Sequence, residues 1–495
     1  MNERIIVVGG GPGGLSAAIY LAAAGQAITL LEQNAEVGGK MSEIRQGGYR
    51  WDTGPTVITL RHVFDDIFAA AGAQTQDYLD WVAVDPLTRY HYPDGQALDI
   101  NVGLAETLAQ IEQLDARDVG GYLRFLAYAA EMYRITAPTI LFGDPPTLRS
   151  ALLLPLRDVL RVDLRAMDAA ICTHVRTPYL RRLFDRFATY LGASPYQARA
   201  YLNVIAHVEL TAGLWYPRGG THGIALAYRR LAEALGVEVR TGTRVRRILT
   251  EHDRITGVEL VGGEIERAQR VIANIDPTTV YSALLPEMRG SRRLKQWQNR
   301  PFACSGFVLY LGLDKTFGQL AHHNIFFSPD YRAEFEATFR RGIPSAQPTV
   351  YVAITAKSDP DHAPPSGENW FVMANTPPLD PRWDWMREVA GYRECVLDRL
   401  TAYGLDVRGH IVAERQWTPL DIQEQTGAWR GSLYGHSFNH PLASFARPHP
   451  RSAEVKGLYF TGGATHPGGG VPLATLSGKA TARLLLRDRG QEEAK

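Results

Sequence analysis

The sequence predicts an α/β fold in which one parallel-sheet domain is assembled from three separated stretches of chain, and three observations predict it. The apolar run 5–8 passes directly into Gly9, Gly11 and Gly14 at the spacing G-x-G-x-x-G, followed by a helical stretch over 15–24. A second block, 236–280, alternates apolar and polar residues around Val237, Val239, Val245 and Ile248 as half-buried strands do. A third, 457–486, reads as a strand over 458–461, a glycine-rich turn, and a helix that starts near Val471.

Each element of the first block has a physical role in holding a dinucleotide. Gly9 allows the tight turn, Gly11 lets the backbone approach a pyrophosphate, and Gly14 permits close packing of helix on strand. The positive end of the helix then faces the phosphates. A second strand, 27–31, ends in Glu32, where a carboxylate accepts hydrogen bonds from both ribose hydroxyls and repels a ribose phosphate. Gly38-Gly39-Lys40 and the segment 49–56, which ends in Pro55 and Thr56, come next. A glycine pair just beyond the ribose acid is what flavoproteins of the glutathione-reductase and amine-oxidase type show, the chain passing close to the nucleotide and then under the flavin. FAD is therefore expected rather than NAD. In two-dinucleotide-type flavoproteins a strand placed like 243–249 in the second block adds beside the adenine, which would bring the backbone of Val245 to the adenine edge, a plain meander being the competing reading. In the third, Gly462, Gly463, Gly470 and the helix start at Val471 put backbone N–H groups where negative charge builds on a flavin as it is reduced.

A chain of 495 residues exceeds one hydrophobic core. The expected organisation is a discontinuous Rossmann-like FAD-binding domain (1–85, 213–285 and 451–489), a helical membrane-facing subdomain (86–212) and an α+β substrate domain (286–450). A net charge of +1 argues against nucleic acid as a partner. Cys172, Cys304 and Cys395 are far apart and form no C-x-x-C, so neither a metal site nor a disulfide framework is expected, and a reducing compartment fits. The first strand begins within about four residues of the N-terminus, leaving no room for a secretory signal peptide, and no apolar run is long enough to span a bilayer. The segment 140–164 joins a leucine-rich surface to Arg149, Arg157 and Arg161. It reads either as an interface-lying helix or as a core helix. The charged end, 489–495, reads as a frayed tail.

Four segments resemble the bacterial phytoene desaturase, or carotenoid desaturase, group of amine-oxidase-like flavoproteins. They are 52–59 (DTGPTVIT), 215–221 (WYPRGGT), 320–324 (LAHHN) and, most specifically, 462–470 (GGATHPGGG). The resemblance extends from Ile5 to Leu486. It implies an FAD-dependent oxidoreductase that introduces double bonds into an acyclic carotenoid by hydride transfer to flavin N5. It further implies a cytoplasmic enzyme attached peripherally to the cytoplasmic membrane, with a quinone or oxygen reoxidising the flavin. The stretches 431–435 and 470–478 look more like 3,4-desaturases acting on hydroxylated or later carotenoids. The Arg157-Asp158 pair resembles an Arg-Asp pair proposed for acid/base work in phytoene enzymes, the competing reading being a solvated pair on a surface helix. His466 lies in the most specific segment, where catalysis competes with a structural hydrogen bond. His322 and His323 have no evident metal-ligand partner. A saturase, a ketolase or an amine oxidase on the same scaffold stays open, as does a non-enzymatic lipid escort protein, which loss of the glycines or of Glu32 would mark.

Overall fold

The computed structural model describes residues 4–54, 56–145, 156–440 and 447–493. Its five-stranded sheet has the order Leu458–Phe460, Arg270–Ala273, Ile5–Val8, Ile28–Leu31, Glu238–Arg240, every pairing parallel. All three sequence blocks thus contribute strands to one sheet. Ile5–Val8 is buried along its whole length, as an inner parallel strand covered on both faces must be. Ile5 and Val7 pack in the cluster that holds Leu15, Ala18 and Leu485 of the helices. Ile6 and Val8 pack with Val245, Ile248 and Val258 of an antiparallel three-stranded sheet, Val245–Glu251, Arg254–Leu260 and Ile265–Arg267.

Helices Pro12–Ala23, His222–Ala234 and Val471–Glu493 pack on one face. Pro12–Ala23 begins three residues earlier than the sequence suggests, because proline at the first helical turn has its backbone angle preset and loses no hydrogen bond there. Against it lies Val471–Glu493. A Cβ on Gly478 would come within 2.5 Å of the Gly13 carbonyl oxygen and 2.6 Å of Ser16 Cβ, so only glycine admits this approach. Ser16 Oγ seals the contact by donating to the Thr475 carbonyl at 2.7 Å. The last helix continues to Glu493 where a frayed tail was expected, since Arg, Gln and Glu are all good helix formers.

The rest of the chain builds a seven-stranded sheet in the order Ile411–Trp417, Ser305–Leu313, Glu368–Thr376, Val350–Ile354, His323–Phe326, Thr88–His91, Ala97–Ile100. Helix Trp385–Thr401 packs on it through Trp385, Tyr392 and Val396 against Phe307, Leu309 and Leu311. Thr88–His91 pairs in parallel with His323–Phe326, so the stretch read from sequence as helical is preceded, inside 86–212, by two strands of the large sheet. Helices follow, chiefly Leu104–Asp115, Val119–Ile140, Pro178–Asp185 and Val204–Ala212. They share one core with Tyr90, Leu98 and Ile100 of those strands.

Candidate functional site

Where the three sequence blocks meet, a cavity of about 1140 Å³ opens and runs on between the large sheet and the helices of 178–212. Gly9, Gly11, Glu32, Gly39, Lys40, Thr56 and Val245 line it, together with Gly462, Gly463, Gly470 and Val471 of the last block. Typical ligand pockets measure about 300–1,000 Å³, so there is room for a dinucleotide and for part of a second molecule.

The glycine positions are set by close backbone approach. A Cβ on Gly11 would stand 2.8 Å from Asn274 Oδ1, and one on Gly13 would stand 2.8 Å from Gly462 Cα. Gly14 and Gly38 are not in the wall but support it. A Cβ on Gly14 would meet the Gly9 carbonyl oxygen at 2.1 Å, and Gly38, at φ +127°, sends its N–H to the Gly10 carbonyl at 2.8 Å. Pro55 lies outside the described residues. Asn274, at the carboxyl end of strand Arg270–Ala273, ties the segments together: its Oδ1 accepts from Gly14 N–H at 2.9 Å and its Nδ2 donates to the Thr461 carbonyl at 3.2 Å. Sequence reading missed it, although the carboxyl ends of strands in an open α/β sheet are where ligand crevices form.

Glu32 is 4% exposed. Its Oε2 accepts from Gly10 N–H at 2.7 Å and its Oε1 from Asn34 N–H at 2.8 Å. Each oxygen keeps capacity for a further donor, which is what a pair of ribose hydroxyls requires. Burial pushes the carboxyl pKa up, and the backbone N–H groups of Asn34 and Gly10 hold it back. Lys40 donates from Nζ to the Leu433 carbonyl at 2.7 Å, and burial lowers its ammonium to about 8 against the opposing pull of Asp276. The glycine cradle, the buried carboxylate with spare acceptor capacity and the helix start at Val471 all fit a dinucleotide of the FAD kind.

The catalytic candidates lie elsewhere. His466 is buried outside the wall, its Nε2 3.4 Å from the Gly143 carbonyl, and burial lowers it to about 4, which leaves the ring neutral. Asp158, on helix Leu156–Val159, is paired with Arg134 at 3.5 Å and does not reach the cavity, and the side chain of Arg157 lies outside the described residues. Three of the resembling segments meet in a support knot instead. Asp52 accepts from Tyr216 OH at 2.6 Å and from Thr221 N–H at 2.9 Å, and the Tyr216 ring packs edge-on to His322, 4.9 Å between centroids. His323 Nδ1 shares a 2.8 Å hydrogen bond with Tyr351 OH, which in turn meets Thr56 Oγ1 at 2.5 Å.

Another stretch of the wall is apolar, with Leu191, Val204, Ile205, Val208, Ile325 and Leu473. Arg186, Tyr190, Glu209, Glu334 and Tyr351 interrupt it. None of these polar residues stood out in sequence, because no fixed spacing marks charges that converge from different helices and sheets. Burial raises Glu334 from its ordinary 4.5 to about 7, with Thr349 Oγ1 donating to its Oε2 at 2.7 Å. A carboxyl pKa raised on folding means that the native state binds more protons than the unfolded chain between those values. Its contribution to stability is therefore full below about 4.5 and falls as pH rises towards 7. Glu334→Gln is expected to raise the melting temperature at pH 8 and leave it unchanged at pH 4, which a pair of calorimetric scans would check.

A family profile described as flavin-containing amine oxidoreductase matches residues 12–486. Among characterised proteins, the chain is 36% identical over 493 residues to a 4,4'-diapolycopene oxygenase of Methylomonas sp, covering 99% of this chain and 98% of that protein. It is 34% identical over 488 residues to a 4,4'-diaponeurosporene oxygenase of Staphylococcus aureus (strain MW2), covering 97% and 98%. Solved structures with the same fold include an oxidoreductase from Methanosarcina mazei (TM-score 0.64, 17% identity, 97% of this chain and 100% of that one). A putrescine oxidase bound to putrescine aligns with TM-score 0.62 at 17% identity, covering 98% and 99%.

Proposed function

Because the chain belongs to the flavin-containing amine oxidoreductase family and is an FAD-dependent oxidoreductase, we propose that it oxidises an acyclic carotenoid held in the apolar part of its cavity. The observation that carries this reading is the continuity of one cavity from the glycine turn at Gly9–Gly14 to a wall of aliphatic side chains at 191–208. A polyene of many carbons gains about 25 cal/mol for each Å² it buries, so an extended apolar wall suits it where a small polar amine would gain little.

In this reading Glu32 accepts the adenosine ribose hydroxyls, the N–H groups of the 9–14 turn take the pyrophosphate, and Val245 meets the adenine. Lys40 would line the nucleotide site while its Nζ holds the Leu433 carbonyl. The N-terminus of Val471–Glu493 would offer backbone N–H groups to a reduced flavin, and Gly39, Thr56, Gly462, Gly463 and Gly470 would line the space for its ring. FAD held there would supply a two-electron sink for oxidation of the substrate. The chain's own contribution is to hold the polyene in line and to keep water out through the aliphatic wall.

Two reactions fit a carotenoid-oxidising flavoenzyme. The two relatives named above are a 4,4'-diapolycopene oxygenase and a 4,4'-diaponeurosporene oxygenase, which favours addition of oxygen; the segments 52–59 and 462–470 resemble carotenoid desaturases, which favours removal of two hydrogens along the chain. Expression in cells making phytoene, neurosporene, lycopene or a diapocarotenoid separates them by product mass. A product that has gained oxygen supports oxygenation, one lighter by two hydrogens supports desaturation, and unchanged pigment in every host sinks the carotenoid reading. Oxygen or a quinone is the acceptor that would reoxidise the flavin.

The reading also places the enzyme on the inner face of the cytoplasmic membrane, where such hydrocarbons dissolve. Val159, Leu160 and Leu164 are 43%, 76% and 60% exposed, and Arg161 stands among them, the pattern of a segment seated in a lipid interface. Among the described residues no helix is long and apolar enough to cross a membrane. Burying one leucine is worth about 1.5–3 kcal/mol. Leu160→Asp is therefore expected to lower co-sedimentation with anionic vesicles about tenfold, with flavin content unchanged; undiminished sedimentation would remove the interface role of this segment.

A further inference from the structure

An ion pair sits in the aliphatic part of the cavity wall. Arg186 and Glu209 meet at 3.0 Å with side chains 7% and 1% exposed, and both line the cavity beside Tyr190. Tyr190 OH donates to Glu209 Oε2 at 2.5 Å, while Arg186 donates to Tyr190 OH at 3.2 Å and to Tyr90 OH at 2.8 Å. The guanidinium also lies over the rings of Tyr90, Phe187 and Tyr190 at 5.3, 4.9 and 5.1 Å. Taking two charges out of water is costly, and an apolar pair of the same volume would be at least as stable, so the pair is poorly explained by folding. One donor of the fork is unused: Arg186 Nε is buried with no acceptor. Tyr351, hydrogen-bonded to Thr56 and His323, lines the same cavity.

We propose that Arg186, aimed by Glu209 and Tyr190, is the specificity-determining donor for an oxygen atom at the end of the polyene, so that the enzyme prefers a chain whose terminus already carries a carbonyl or hydroxyl over the bare hydrocarbon. The inference rests on the carotenoid reading above and deepens it. A guanidinium in a water-poor chamber makes a strong charge-assisted hydrogen bond to such an oxygen. A hydrocarbon end leaves the polar group without a ligand, and sites built around buried polar groups discriminate sharply against analogues that lack the partner.

The test compares the flavin-loaded wild type with Arg186→Met/Glu209→Leu, which removes both charges together, on an acyclic hydrocarbon carotenoid and on the same skeleton bearing a terminal aldehyde. The double variant is expected to raise the ratio of KM for the aldehyde to KM for the hydrocarbon about tenfold or more, the hydrocarbon KM falling because no unpaired polar group is left facing its end. Tyr190→Phe, which deletes only a hydroxyl, serves the same comparison with a smaller rise should the double variant lose its flavin. Equal changes for both substrates, or none for either, would overturn the recognition role while leaving the carotenoid reading intact. A wild type that turns over neither substrate would overturn both.

Discussion

Gly14→Val is expected to yield no flavin-bearing protein at all. A Cβ at this position would lie 2.1 Å from the Gly9 carbonyl oxygen and 3.1 Å from Asn274 Cβ, and the first of these is backbone that cannot swing aside. The helix Pro12–Ala23 would have to lift from its strand, breaking the 2.9 Å hydrogen bond from Gly14 N–H to Asn274 Oδ1 and the close passage of Gly13 over Gly462. Overpacking a well-filled core costs about 1–3 kcal/mol or more, a large share of the roughly 5–15 kcal/mol by which domains are stable. Gly318→Ala is the control: nothing stands within 4 Å of its Cβ direction, and its stability is expected to match the wild type. The ratio of flavin to protein absorbance, with a thermal melt, checks both. A Gly14→Val protein that keeps full flavin would contradict the geometry.

Glu32→Ala is expected to fold yet lose FAD on gel filtration, its dissociation constant rising about a hundredfold. The estimate follows from two charge-assisted hydrogen bonds to ribose hydroxyls at about 1.5 kcal/mol each. The same substitution frees the N–H groups of Gly10 and Asn34, which Glu32 holds at 2.7 and 2.8 Å. Glu32→Gln separates the two effects, since its amide oxygen still accepts from one N–H while the charge is gone, and its affinity should fall between wild type and alanine. Fluorescence titration of apoprotein with FAD gives the constants, and an alanine variant binding as tightly as the wild type would remove Glu32 from the ribose site.

Local chemistry explains what was legible in the sequence. Gly9, Gly11, Gly14 and Glu32 announce themselves because a tight turn, a close backbone approach and a ribose acid each demand one residue type at one spacing, all within a single strand-helix-strand unit. Strand Leu458–Phe460 and the helix from Val471 were readable for the same reason. Thr88–His91 and Ala97–Ile100 were not, since four residues carry too little periodicity; the place of the first is set by a partner strand more than 200 residues away, at His323–Phe326, and the second pairs only on to the first. Arg186 and Glu209 come from different helical segments and meet only through the packing of 178–212, so no motif joins them. Conversely, Asp158 and His466 were singled out by resemblance and by chemical type, and three-dimensional packing put one in a half-exposed ion pair with Arg134 and the other against a backbone carbonyl.

The most direct test of the central claim, that FAD and an acyclic carotenoid share one continuous cavity, is an anaerobic titration of the flavin-loaded protein with carotenoid in detergent or vesicles, followed at the flavin absorbance. Bleaching of the flavin on adding the carotenoid, and recovery of colour on admitting oxygen or a quinone, is the predicted result. A flavin that stays oxidised with every acyclic carotenoid while a small soluble amine bleaches it would contradict the account.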